Sequence, residues 1–193
     1  MLFIGDVHGK TDAYQKIVER APYSIQVGDF GFHKEWTWLK KNVSAEHHKV
    51  VCGNHDLPPS INDAPHCLGN FGSIIHGGLP LFFVRGAHSI DASYRTEGVS
   101  WFADEQLNHL DLLDAIAEYE RVRPDIVVTH EAPAYLKMML CGQAYDQTSI
   151  ALEKMWNIHR PKIWIHGHHH TSKRYNLMDT QFISLAELEV FKL

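Results

Sequence analysis

Five short clusters of metal-competent side chains are spread along this chain. They are Asp6-Val7-His8, Gly28-Asp29, Gly53-Asn54-His55-Asp56, Thr129-His130 and Gly167-His168-His169-His170. Carboxylate and amide oxygens mixed with imidazole nitrogens suit manganese, iron, zinc or nickel, and no cysteine stands among them to favour copper(I) or an iron–sulfur cluster. Asp6 and His8 are two residues apart, as are His168 and His170. Each pair faces one side, and could grip one cation, if strand geometry persists through it. The glycine before Asp29 lets the backbone turn tightly and lets a carboxylate come close to a metal. The seven donors Asp6, His8, Asp29, Asn54, His130, His168 and His170 exceed the needs of one transition-metal ion. Two ions sharing a bridging carboxylate would use them all.

Groups so far apart in sequence can act together only if strands carry them to one place. Every cluster follows a strand-type apolar run: Leu2-Phe3-Ile4, Ser24-Ile25-Gln26-Val27, Val50-Val51-Cys52, Ile126-Val127-Val128 and Ile163-Trp164-Ile165. In an open α/β sheet the carboxyl ends of neighbouring strands open on one crevice. The layout alternates accordingly. Strands are expected at 2–5, 24–27 and 48–52, with helices at about 10–20 (inner face Ala13, Ile17, Val18) and 34–42, a βαβαβ opening that implies a parallel sheet. Residues 57–70 hold three prolines and read as a loop. Residues 71–76 and 80–84 read as a hairpin around Gly77-Gly78, and Gly86 to Gly98 as a polar surface loop. Leu107, Leu110, Leu113 and Ala117 are at helical spacing, which predicts a helix over 102–121. A strand at 125–129, a helix at 147–158 and a strand at 162–166 follow, and 173–177 with 181–191 reads as antiparallel. No repeat or linker interrupts the chain, so residues 1–193 are expected to form one domain.

The bulk numbers bound the alternatives. A chain of 193 residues can bury roughly 70% of its unfolded surface around one core. With 45% apolar and 21% charged residues it is an ordinary globule, and a net charge of −5 offers no broad footprint for a long nucleic acid. No apolar run approaches the ~20 residues that span a bilayer, and the first residues read as a strand, not a signal peptide. Cys52, Cys67 and Cys141 are sparse and unpaired in spacing, which suits a reducing cytoplasm. Histidine, with fifteen residues, is the anomaly. His33, His76, His88 and His169 stand near the clusters as candidate pocket residues, and His166 as a residue behind the ligands. The five tryptophans read as core. Gly5 to Thr11 mimics a phosphate loop but has three residues between its glycines where four are required.

The ordered set D-x-H, G-D, G-N-H-[DE], a lone His and G-H-x-H resembles the calcineurin-like metallophosphoesterase superfamily, over about residues 3 to 185. That resemblance implies a four-layer α/β/β/α sandwich of two mixed sheets with its metal site at the C-terminal ends of the strands. It implies two divalent ions, manganese first with iron, zinc or nickel as alternatives. Asp6, His8 and His170 would hold one, Asn54, His130 and His168 the other, and Asp29 would bridge. The implied reaction is attack on a phosphoester by a hydroxide bridging the metals, with His55 assisting the leaving group. Asp56 is a candidate to orient His55.

The substrate is less defined. The signalling protein phosphatases of that superfamily extend the second cluster to Asp-Arg-Gly; here Gly28-Asp29-Phe30-Gly31 has no arginine, and Asp56 stands where that branch has Glu. The chain is more similar to the small single-domain bacterial and phage-type phosphoesterases, and the expected substrate is a small or nucleotide-like phosphoester. Arg95 in the Gly86–Gly98 loop, with Tyr94 and Arg85 beside it, is the candidate to fork onto a phosphate. The alternative is a non-catalytic metal-binding scaffold of the same fold; such a protein is expected to lose a ligand or the acid histidine, and this sequence keeps all eight. A nuclease would need a basic groove.

Overall fold

The computed structural model describes residues 1–56, 64–142 and 144–193. In the first sheet β1 (Leu2–Ile4), β2 (Ser24–Gln26) and β3 (His48–Val50) run parallel, and β10 (Val190–Lys192) lies antiparallel against β1. The second sheet is ordered β4 (Phe71–His76), β5 (Leu79–Val84), β6 (Ile126–Thr129), β7 (Ile163–His166), β9 (Thr180–Ser184) and β8 (Lys173–Leu177). Its centre, from β5 through β6 and β7 to β9, is parallel; the outer pairs are antiparallel. Both sheets are therefore mixed.

Alternation along the strands builds the layers. Phe3, Ile25, Val27 and Val51 from the first sheet meet Leu81, Phe83, Val128, Ile165 and Ile183 from the second, forming a dry core between the sheets. Their neighbours point outward. Ile4 and Val50 pack under α1 (Thr11–Val18) and α2 (His33–Asn42) through Tyr14, Val18, Trp36 and Leu39. Phe82, Val127, Trp164 and Phe182 pack under α3 (His109–Val122), α4 (Ala134–Cys141) and α5 (Gln147–Ile158). The result is a four-layer α/β/β/α sandwich. Strands covered on both faces read as largely apolar runs, with Ser24, Gln26 and His48 as buried polar exceptions, and each fully buried Val, Ile, Leu or Phe contributes roughly 1.5–3 kcal/mol.

Several expectations need correcting. The helix predicted over 102–121 starts at His109, where the Asn108 side chain accepts the Asp111 N–H as a cap. Its buried face is Leu112, Ala115 and Tyr119, while Leu110 and Leu113 are exposed. The sequence carries two apolar stripes, and Tyr119 decides between them: its ring packs on Phe82 and its hydroxyl donates to the His159 carbonyl. Residues 181–191 are not one strand; β9 belongs to the second sheet and β10 crosses to the first. The sequence reading missed α4, which starts after Pro133. Cys52 and Cys67 are not isolated in space, since their buried Sγ atoms lie 2.9 Å apart as free thiols. Part of the proposed 57–70 loop, residues 57–63, lies outside the described residues. Among the described residues no helix is long and apolar enough to cross a membrane.

Candidate metal centre

The five clusters leave the C-terminal ends of β1, β2, β3, β6 and β7, three from one sheet and two from the other. Packing the sheets face to face brings those ends to one edge. Backbone bonds then stitch the loops together: Val7 and His8 N–H donate to the Asp29 carbonyl, Gly167 N–H to that of His130, and Leu188 N–H to that of Asp6.

Strand alternation does not align the paired donors. β1 ends at Ile4 and β7 at His166. His8 (φ 45°), Asp29 (φ 55°), His168 (φ 65°) and His170 (φ 48°) all sit in the left-handed region. Turns aim these side chains, so the expectation of a continuing strand was wrong. Left-handed non-glycine residues cost on the order of 1–3 kcal/mol each and persist only where the surroundings hold them.

The glycines of three clusters supply the space. A Cβ on Gly28 would collide with the His130 ring, one on Gly53 with Asp29 and His130, and one on Gly167 with Asp6. Each motif glycine presses on a donor from a different cluster.

Among the described residues three groups could hold a metal ion, one of them Glu131, His168 and His169, and the other two share Asp29. Asp6, His8, Asp29 and His170 bring one ligand atom each within 4.8 Å of one another, and so do Asp29, His130 and His168. Asp29 is common to both: its Oδ2 stands 3.7 Å from His8 Nε2 and its Oδ1 3.2 Å from His130 Nε2. Asn54 Oδ1 joins the second group at 3.0 Å from His130 Nε2. In the first group His8 and His170 Nε2 are 2.9 Å apart, and His170 Nε2 is 3.1 Å from Asp6 Oδ2. Donors at right angles, each about 2.1 Å from an ion, are about 3 Å apart, so the separations of 2.9 to 3.2 Å match the edge of a coordination shell and the 3.7 Å one corresponds to a wider angle.

The protonation pattern fits a cation as well. His130 Nδ1 lies 2.8 Å from the Val27 carbonyl, which can only accept. Nδ1 therefore carries the ring hydrogen, and the lone pair on Nε2 faces two oxygens. Lone pairs so close need a cation between them: a second ring proton or a metal ion. Burial disfavours that proton, yet the Asp29 carboxylate beside it raises the His130 pKa to about 10. The same imidazolium partner helps hold Asp29 far below the usual carboxylate range against the opposing effect of burial. The residues fit divalent ions, with the Val27 carbonyl fixing the His130 tautomer.

His55 stands beside both groups without belonging to either, its backbone N–H donating to Asp29 Oδ1 at 2.8 Å. Burial lowers its pKa, Asp29 opposes this, and Arg95 adds to the lowering. Arg95 does reach the site. Its Nη2 lies 2.6 Å from His55 Nε2 and 2.8 Å from Asp91 Oδ2, and its Nη1 lies 3.2 Å from His55 Nδ1. A cleft of about 420 Å³ opens between Arg95, His55, Asp29 and His168.

Three expectations fail here. Asp56 does not orient His55; its carboxylate accepts the N–H groups of Gly31 and Gly53 at 3.0 and 2.8 Å, tying the second cluster to the third. Burial, then the charge of Asp29, raises its pKa to about 7. Tyr94 is 91% exposed and is not among the residues lining the cleft. Arg85 is buried and spent on Asn70 and the Asp104 carbonyl.

Sequence reading also missed the base of the site. Glu131, fully buried, accepts Lys137 Nζ at 2.6 Å and lies 2.8 Å from His169 Nε2. Burial would raise its pKa, but His168, His169 and Lys137 outweigh that and hold it well below the usual range. Lys137 also reaches Asp146, the N-cap of α5. The only signal in the sequence was an acid directly after the lone His130. His169 lines the cleft as anticipated, whereas His33, His76 and His88 do not. His166 is buried behind, its ring 5.8 Å from that of His169.

A shared carboxylate between two imidazole–oxygen groups is the arrangement of two-metal hydrolases. A family model described as calcineurin-like phosphoesterase matches residues 1–172, and the chain belongs to that family. The phosphopantetheinyl hydrolase of Mycobacterium tuberculosis is similar in fold, with TM-score 0.58 at 15% identity over 96% of this chain and 89% of that one. A putative 5'-nucleotidase from Staphylococcus aureus gives TM-score 0.58 at 13% identity, covering 98% of this chain and 49% of that one. A hypothetical protein from Thermus thermophilus gives 0.52 at 16% identity, covering 96% and 75%. No curated protein matches the chain.

Proposed function

We propose that this protein is a dinuclear-metal-dependent phosphoesterase, a phosphatase or phosphodiesterase acting on small, nucleotide-like esters in the cytoplasm. The observation that carries the reading is Asp29, whose two oxygens face two different donor groups. In it Asp6, His8 and His170 would hold one ion and Asn54, His130 and His168 the other, with Asp29 shared between the two groups. Such a pair, manganese first, would supply Lewis acidity and a nucleophilic oxygen at neutral pH. The protein's own groups do the rest. Arg95, held by Asp91, offers its guanidinium to a phosphate oxygen across the cleft. His55 lies against that guanidinium, and burial and then Arg95 disfavour its charged form while Asp29 opposes them. An arriving phosphate dianion favours the imidazolium, which stabilises charge on the leaving oxygen or gives it a proton. Asp29 Oδ1 accepts the His55 backbone N–H at 2.8 Å, which ties the shared carboxylate to the residue beside the leaving group.

A non-catalytic scaffold of the same fold needs none of this, yet the seven donors and His55 are all kept and all reach one edge. The test is hydrolysis of p-nitrophenyl phosphate and bis-p-nitrophenyl phosphate by metal-stripped protein, with and without Mn²⁺. Turnover restored by metal is expected, and the ratio of the two rates assigns monoesterase or diesterase. Two bound metals with no turnover on either ester would favour the scaffold.

A further inference from the structure

Asn54 brings an amide to the second group, and an amide can turn either way. One end is an oxygen that binds a cation; the other is an NH₂ that repels one. Something has to choose, and the choice is made outside the donor set.

Asn54 Nδ2 donates to Ser89 Oγ at 2.9 Å. Ser89 Oγ donates to Glu105 Oε2 at 2.6 Å, and the Ser89 N–H donates to Glu105 Oε1 at 2.7 Å. Asn54, Ser89 and Glu105 are each at most 2% exposed. Gly86 (φ +87°) makes the approach possible, because a Cβ there would strike the Glu105 carbonyl, and its N–H donates to the Cys52 carbonyl just ahead of the third cluster. Arg85 holds the neighbouring Asp104 carbonyl at 2.9 Å.

From this chain we infer that Glu105, acting through Ser89, is a positioning residue that sets the amide polarity of Asn54 and so builds the second metal site; the inference rests on the two-metal reading above. With both oxygens of Glu105 occupied by Ser89, the serine hydroxyl has spent its single proton. Its oxygen is then an acceptor toward Asn54, which must present Nδ2 to it. Oδ1 is thereby turned to the point shared with His130 Nε2 and Asp29 Oδ1. No sequence signal marked Glu105, which lies in a stretch predicted to be helical.

Reversing the polarity should break the site. In Glu105→Gln, with the amide oxygen kept on the Ser89 N–H, the new NH₂ donates to Ser89 Oγ. The hydroxyl then points its proton at Asn54, whose oxygen turns to meet it, leaving NH₂ at the metal position. Loss of such supporting hydrogen bonds typically costs about 10–100-fold in metal affinity. Asn54→Asp in the same background should restore binding, because the new carboxylate accepts from Ser89 with one oxygen and keeps the other for the metal. A role in packing alone would not produce that rescue.

The experiment is Mn²⁺ titration of metal-stripped wild type, Glu105→Gln and the Glu105→Gln/Asn54→Asp double variant, with metal-free melting temperatures alongside. Expected are two ions in the wild type, a second ion weakened at least tenfold in Glu105→Gln, and recovery to within a few-fold in the double variant. Equal binding of two ions by wild type and Glu105→Gln overturns the inference alone. So does a double variant that binds no better than Glu105→Gln. If Glu105→Gln does not fold, the comparison passes to the double variant, whose folding with two ions supports the polarity relay and whose failure overturns it. A wild type that takes up fewer than two ions overturns the two-metal reading itself, and this inference with it.

Discussion

Gly167→Ala separates space from backbone freedom at the centre. Gly167 does not occupy the left-handed region, so alanine can adopt its backbone conformation without strain. The whole cost is steric. The new Cβ would stand about 1 Å inside ordinary 3.4 Å contact with Asp6 Oδ1, and 2.9 Å from Val27 Cγ2. Asp6 and Val27 are both fully buried, so neither has free volume to retreat into. The Asp6 carboxylate must shift by about 1 Å, away from the His168 N–H at 3.3 Å and from His170 Nε2 at 3.1 Å. Overpacking of this kind costs roughly 1–3 kcal/mol, a fall of about 2–12 °C in Tm for a chain of this size. A 1 Å misplacement at a reactive centre can cost about 100-fold in rate. The control is Gly78→Ala, at φ +80° with nothing within 4 Å of its Cβ; it should lose about 1–2 kcal/mol of stability through its left-handed backbone and keep full Mn²⁺ affinity. Melting of metal-free protein and Mn²⁺ titration of both variants make the comparison. Wild-type Mn²⁺ affinity and turnover in Gly167→Ala would refute the argument that this glycine exists to admit Asp6.

Other consequences are as direct. His55→Ala should cut kcat by about 10²–10⁴-fold and leave metal content unchanged; lost metal would make His55 a ligand. Arg95→Ala should raise KM for a phosphoester, and unchanged KM and kcat would retire Arg95 as a phosphate contact. Lys137→Met leaves Glu131 and Asp146 without their buried cation, so stability should fall by about 3–5 kcal/mol; a loss under about 1 kcal/mol in urea unfolding would show that the triad is not coupled as drawn. His48, buried beside Ser24 and far from the metal groups, has its pKa lowered to about 4 by burial and then by His47. The unfolded chain binds that proton first, so this contribution is present above pH 6.5 and is lost as pH falls toward 4. His66 and His76, also lowered chiefly by burial, act in the same direction. His48→Gln should flatten the pH dependence of the unfolding free energy of metal-free protein across that window by at most about 3 kcal/mol, and an unchanged profile would refute the assignment.

What the sequence settled by itself was chemical identity and order. Strands buried on both faces are largely apolar, and a site for a hard or borderline cation draws on oxygen and imidazole side chains such as Asp, Asn and His, so both signals survive in a linear reading. Asp6 to His170 were legible for that reason, as was the alternation of strands and helices. The aim of those side chains was not. His8 and His168 point inward because their backbones turn left-handed beyond the strand ends, a choice enforced by loops from other strands. The supporting groups were equally hidden. Glu131, Lys137, Ser89 and Glu105 look like ordinary polar residues until burial removes water and leaves them only one another and their few neighbours to bond. Asp56 shows the opposite error, since adjacency to His55 suggested a contact that the fold instead spends on Gly31 and Gly53. Periodicity likewise offered two faces for α3, and only the packing of Tyr119 against Phe82 chose one. Composition and spacing decide which atoms are available; which of them meet, and with which proton between them, is decided when two sheets close on each other and exclude water.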